Sequence, residues 1–125
     1  MIRVVIADDA SDIRTLVRLE LTLDERFDVV GEAADGVETL AVIEQTSPDA
    51  LLLDLAMPHM DGLEVLERLS SRPSPPPVVV FSGFSSQVMV ERALALGAAA
   101  YIDKGADLHS IPGILAEAVA KDSGS

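Results

Sequence analysis

The sequence predicts an α/β fold: a doubly wound, five-stranded parallel sheet with five helices. Three observations predict it. Five apolar runs of four to six residues recur along the 125-residue chain. Longer amphipathic stretches separate them, which is the pattern of strand–helix–strand units. Runs one, three and four also lack polar alternation, as expected when helices cover both faces of a parallel strand.

The first run is Ile2–Ala7, and a helix follows with Ile13, Leu16, Val17, Leu19 and Leu21 as its apolar stripe and Ser11 or Asp12 as N-cap. The second run, Asp28–Ala33, mixes polar with apolar residues and reads as an edge strand. Asp35-Gly36 then opens a helix bearing Val37, Leu40, Ala41 and Ile43. The third run is Ala50–Leu53, followed by Asp61-Gly62 and a helix with Leu63, Leu66 and Leu69. Pro73 and the segment Ser74-Pro75-Pro76-Pro77 read as a stiff loop feeding the fourth run, Val78–Phe81. The next helix carries Val90, Ala93, Leu94 and Leu96 and stops at Gly97, a suitable residue just past a helix end. The fifth run is Ala98–Ile102. The last helix bears Ile111, Ile114, Leu115, Ala118 and Val119, and Pro112 must lie in its first turn, so it starts near Ser110 or, alternatively, Asp107. One domain spans 1–121, and 122–125 read as a tail or the start of a linker. Right-handed crossovers between the strands give the doubly wound sheet.

Composition narrows the function. Hydrophobic residues make up 49% and aromatics 3%, so Val, Leu, Ile and Ala fill the core. There is no cysteine, which excludes disulfides, thiol nucleophiles and thiolate metal sites. Nine basic against 21 acidic residues give a net charge of −12, which argues against nucleic acid or an anionic membrane as partner of this domain. No apolar run approaches the roughly 18 residues of a membrane span, and acids at positions 8 and 9 cut short any signal-peptide core. The expected location is the cytoplasm.

Ligands of open α/β sheets bind beyond the carboxyl ends of the strands. Asp8 and Asp9 follow run one, Asp54 run three, Ser82 and Gly83 run four, and Asp103 and Lys104 run five. Singly, Asp8, Asp9 or Ser82 reads equally well as a helix N-cap. Together, three carboxylates at neighbouring strand ends need a counter-ion, because two charges about 4 Å apart repel by about 4 kcal/mol at an effective dielectric of about 20. An oxygen-only donor set with no nearby His or Cys suits a hard cation, and Mg²⁺ is the expected one. Lys104, one of two lysines in the chain, supplies a further positive charge. Such a site can transfer a phosphoryl group, with a carboxylate as nucleophile. Asp54, in the middle of the sheet, is the expected acceptor. Ser82 is placed to donate to a phosphoryl oxygen, and the Gly83 N–H can approach it without a Cβ in the way. His59 follows the Met57-Pro58 loop and His109 lies near the last helix, and with no second histidine at ligand spacing neither is expected to bind a metal.

The motifs Ala7-Asp8-Asp9, Leu53-Asp54-Leu55-Ala56-Met57-Pro58, Asp61-Gly62, Phe81-Ser82-Gly83 and Tyr101-Ile102-Asp103-Lys104 cover nearly the whole chain in order. With them the sequence closely resembles the receiver domains of bacterial two-component response regulators. The resemblance implies the flavodoxin-like strand order 2-1-3-4-5. It implies phosphorylation of Asp54 by a phospho-histidine sensor kinase, with Mg²⁺ held by Asp9 directly, Asp8 through water, Asp54 and the Ala56 carbonyl. Ser82 and Lys104 would contact the phosphoryl group, and Tyr101 would change rotamer as Ser82 moves. The implied function is a phosphorylation-activated switch acting on an output domain or partner, with homodimerisation on phosphorylation as a further expectation. Its only catalysis would be its own phosphorylation and slow dephosphorylation. The stretch Val29–Gly36 resembles the subfamily that precedes a helix-turn-helix output domain. One departure is Gly105, where the family usually has proline after the lysine, in a cis peptide; a trans peptide and a reshaped loop are expected here. A pseudo-receiver, acting as a constitutive interaction module, is the alternative. A haloacid-dehalogenase-type phosphatase would need a second Asp where Ala56 stands.

Overall fold

The computed structural model describes residues 1–124, with side chains through Asp122. Five strands, β1 (Ile2–Ala7), β2 (Phe27–Ala33), β3 (Ala50–Leu53), β4 (Val78–Ser82) and β5 (Ala100–Asp103), form one parallel sheet in the order β2-β1-β3-β4-β5. Four helices connect them, α1 (Ser11–Thr22), α2 (Gly36–Thr46), α3 (Gly62–Ser70) and α4 (Gln87–Ala95), and α5 (Ile111–Gly124) follows β5. A 3-10 turn, Leu108–Ser110, leads into α5. Of the tail expected at 122–125, Ser125 lies outside the described residues. No helix among the described residues is long and apolar enough to cross a membrane.

The missing alternation in β1, β3 and β4 has the expected cause. Val4 and Ile6 pack with Val17 and Leu21 of α1 and Ile111 and Leu115 of α5, whereas Val5 and Ala7 pack with Ile43, Val65 and Leu66 of α2 and α3. Each strand therefore supplies two cores, one on each face of the sheet.

Four details differ from the sequence expectation. Neither Ser11 nor Asp12 caps α1: Ala10 stands at the N-cap without a side-chain bond. The Asp8 carboxylate accepts the Ala10 N–H at 2.9 Å, and Asp12 accepts its neighbour Ile13. Leu16 (48% exposed) and Leu19 (57%) also turn outward, so α1 buries only Val17 and Leu21 fully. Val37 and Leu94 are exposed as well. Finally, β5 begins at Ala100 rather than Ala98, because the end of α4 uses the preceding residues. Gly97, at φ 105°, donates to Leu94, and Ala98 donates to Ala93, the paired bonds of a Schellman motif.

The last helix starts within a residue of the expected Ser110, and Asp107 caps the 3-10 turn before it by accepting the His109 N–H. Gly105 follows Lys104 through a trans peptide. Its N–H donates to the Asp103 carboxylate at 2.6 Å, a bond that proline lacks.

Candidate functional site

The strand order reverses between β1 and β3, because the chain leaves β1 for β2 and returns on the other side. Pairing of Ala7 with Leu53 brings the two strands to a common end, so Asp8 and Asp54 emerge side by side. The Asp54 N–H donates to Ala7 and the Asp8 N–H to Ala33, which ties both starting points to the sheet.

Oxygens of Asp8, Asp9 and Asp54 lie within 4.8 Å of one another. Asp8 (2% exposed) and Asp54 (3%) are buried, whereas Asp9 is exposed on the open side. On the far side, Ser82 pairs with Asp103 at the end of β4 and β5, and the Lys104 N–H donates to the Ser82 carbonyl. This positions the Lys104 ammonium 2.8 Å from Asp8 Oδ2 and 3.4 Å from Asp54 Oδ2.

The electrostatics follow from this crowding. Burial raises the Asp54 carboxyl above the ordinary carboxylate range, and the neighbouring Asp8 charge adds to the rise. Lys104 and the Ala56 N–H, which donates to the Asp54 carboxylate, offset only part of it. Burial pulls the Lys104 ammonium downward, but its bonds and charge attraction to Asp8 and Asp54 outweigh that, so it is raised and stays charged. Three carboxylates against one ammonium leave an excess of two negative charges in an oxygen-only site with one exposed carboxylate. That donor set fits a hard divalent cation such as Mg²⁺.

Ser82 is fully buried, and its Oγ accepts the Phe84 N–H at 3.2 Å. Gly83 is exposed, with nothing within 4 Å of where a Cβ would stand, so its backbone is open to a ligand. Tyr101 is half-buried on β5, and its hydroxyl donates to the Phe84 carbonyl. The structure therefore brings Asp8, Asp9, Asp54 and Lys104 together, and links Ser82 and Tyr101 through the loop after β4.

Close backbone approaches hold the β3–α3 loop. A Cβ on Gly62 would lie 2.3 Å from the Asp54 carbonyl oxygen, and one on Gly36 would lie 2.2 Å from that of Met60. Asp35 and Asp61, which precede these glycines, cap α2 and α3. Sequence reasoning missed two groups here, the Phe84 carbonyl and Arg14, whose guanidinium donates to the Asp8 carbonyl at 2.6 Å. An arginine on the helix after the acidic pair was the only available signal for the second.

Known proteins match this arrangement along most of the chain. Residues 4–116 match the response regulator receiver domain family. The uncharacterized transcriptional regulatory protein YhcZ of Bacillus subtilis is 40% identical over 99 residues, 79% of this chain and 46% of that protein. A protein-glutamate methylesterase/protein-glutamine glutaminase of Caulobacter vibrioides is 39% identical over 122 residues, 96% of this chain and 35% of that protein. The chain thus spans less than half the length of either relative. The solved signal receiver domain of a NarL response regulator from Mycobacterium tuberculosis superposes with a TM-score of 0.86 at 34% identity, covering 99% of this chain and 98% of that one. With strand order, acidic cluster and sequence in agreement, the chain belongs to the receiver-domain family of response regulators.

Proposed function

We propose that this receiver domain is a phosphorylation-activated switch whose acceptor is Asp54. The observation that carries the reading is the convergence of Asp8, Asp9 and Asp54 with Lys104 at the point where the strand order reverses. A pseudo-receiver has no need of the complete set, so its presence supports the switch over a constitutive module.

The Asp54 carboxylate attacks the phosphorus of a donor phosphohistidine on a sensor kinase. The N–P bond breaks as the O–P bond forms, and the departing imidazole nitrogen takes up a proton. Asp9, Asp54 and the Ala56 carbonyl would hold Mg²⁺ directly, with Asp8 acting through water. That ion supplies neutralisation of charge on the transferring group. Lys104, already between Asp8 and Asp54, follows the new charge onto the phosphoryl oxygens. Ser82 Oγ and the Gly83 N–H donate to the same oxygens. Attack of water on phosphorus later returns Asp54 and inorganic phosphate. The similarity to YhcZ supports a transcriptional output, with homodimerisation on phosphorylation as one route to it.

Intact mass after incubation with acetyl phosphate and Mg²⁺ tests this reading. One added phosphoryl group is expected in the wild type and none in Asp54→Asn. A full shift surviving in Asp54→Asn assigns the acceptor elsewhere.

A further inference from the structure

We infer that Arg14 is a positioning residue for the metal site, braced by Glu32 and acting on the peptide that joins Asp8 to Asp9. The inference rests on the Mg²⁺ reading above.

The edge strand β2 is irregular. Val4 pairs with Val29 but Val5 pairs with Gly31, so Val30 is an extra residue in β2. Val29 packs into the core on the α1 side, and Val30 into the opposite core. Gly31 keeps to the same side as Val30, since a Cβ on it would lie 2.6 Å from Val42 of α2. The bulge thus spends two successive residues on one face and turns Glu32 back toward α1.

Two arginines of α1 meet Glu32 there. Arg14 Nε lies 3.1 Å from Glu32 Oε1, and Arg18 pairs with Oε2. Only Arg14 reaches further: its Nη1 donates to the Asp8 carbonyl at 2.6 Å, with the side chain 19% exposed. That oxygen belongs to the planar Asp8–Asp9 peptide, so holding it sets the plane from which Asp9 leaves the strand. The Asp8 N–H is already held by Ala33 of β2. The planar guanidinium spans the carboxylate and the carbonyl at a set angle, which a lysine ammonium cannot do. Asp9, exposed and otherwise free to swing, is then presented to the ion at little ordering cost.

Arg14 and Arg18 carry the same charge and share one carboxylate, so the pair separates positioning from electrostatics. Removing either makes the surroundings more negative, which by charge alone strengthens Mg²⁺ binding. The test is Mg²⁺ titration, followed by amide chemical shifts, of wild type, Arg14→Met and Arg18→Met, together with acetyl phosphate phosphorylation rates across the same Mg²⁺ range. Arg14→Met, which keeps the apolar stem, is expected to weaken Mg²⁺ binding by about tenfold, the usual scale for groups that orient ligands. Its rate curve should move along the Mg²⁺ axis and recover at saturation. Arg18→Met should bind Mg²⁺ as tightly as wild type or slightly tighter. Arg14→Lys, which reaches one acceptor at a time, should fall between and guards against a misfolded Met variant. Equal titrations in Arg14→Met and wild type, or equal losses in both Met variants, overturn the inference. A wild type indifferent to Mg²⁺ overturns the metal reading itself and this inference with it.

Discussion

Asp54 is buried beside another carboxylate, and that placement costs the folded protein stability whenever both are ionised. In the unfolded chain Asp54 titrates near the ordinary 3.8; in the fold it titrates higher, through burial first and Asp8 second. Below the unfolded value both states hold the proton and the penalty is absent. As pH rises through the folded value, the fold must release a proton it holds more tightly than the unfolded chain does, so stability falls. Asp54→Asn should therefore melt a few degrees above wild type at neutral pH without Mg²⁺, and the gap should close as pH falls through the carboxylate range. A melting curve for Asp54→Asn at or below wild type at neutral pH contradicts the sign. Mg²⁺ should relieve the same strain, raising the wild-type Tm in proportion to ln(1 + [Mg²⁺]/Kd). Asp8 already has partners in Lys104 and the Ala10 N–H, whereas Asp9 is exposed and accepts none of the hydrogen bonds seen among the described residues. Asp9→Ala should therefore blunt the Mg²⁺ response more than Asp8→Ala, and equal responses in wild type and Asp9→Ala contradict the direct-ligand role.

At the scale of elements, the β3–α3 loop is held by backbone contact rather than by side chains. A Cβ on Gly62 would meet the Asp54 carbonyl oxygen at 2.3 Å and Leu55 Cα at 2.7 Å, and neither atom can swing away. Gly62→Ala should destabilise by about 1–3 kcal/mol, as overpacking does, and slow phosphorylation by displacing Asp54. Gly113→Ala, in the first turn of α5 with nothing within 4 Å of its Cβ position, should instead gain about 0.5–1 kcal/mol. Urea unfolding of both variants checks the contrast. The elements themselves were largely legible, because buried parallel strands read as continuous apolar runs and Asp-Gly pairs mark helix starts. Asp8, Asp9, Asp54 and Lys104 were legible for a related reason: each follows the end of such a run. The pairing of Glu32 with Arg14 was not, since its direction depends on one extra residue in β2, and sequence periodicity carries no register. The outward Leu16 and Leu19 were hidden likewise, because an apolar stripe broader than the buried face looks the same in sequence.

Across the whole molecule, the loop after β4 connects the end of the sheet that carries Asp54 to the surface of α4 and β5. Ser82 Oγ accepts the Phe84 N–H, Ser85 Oγ donates to the Ser82 carbonyl, and the Tyr101 hydroxyl donates to the Phe84 carbonyl. Phe84 (58% exposed) and Val88 (75%) project from this segment into solvent, so its displacement disturbs little packing. If Ser82 turns its hydroxyl toward a phosphoryl group on Asp54, the Phe84 N–H loses its acceptor. The Phe84 peptide shifts, and the Tyr101 bond to the same residue must break or follow. Tyr101 would thereby join an event beside Asp54 to the face built by α4, β5 and α5. Phosphorylation needs only to bias two arrangements separated by a few kcal/mol. Amide chemical shifts on adding beryllofluoride and Mg²⁺ should therefore change around Asp54 and also through residues 86–104. In Tyr101→Phe, which keeps the ring and loses the hydroxyl, the changes near residues 8, 54 and 82 should persist while those along β5 diminish. Changes confined to the loops around Asp54 in the wild type, with residues 86–104 silent, would mean that the signal leaves the molecule by another face.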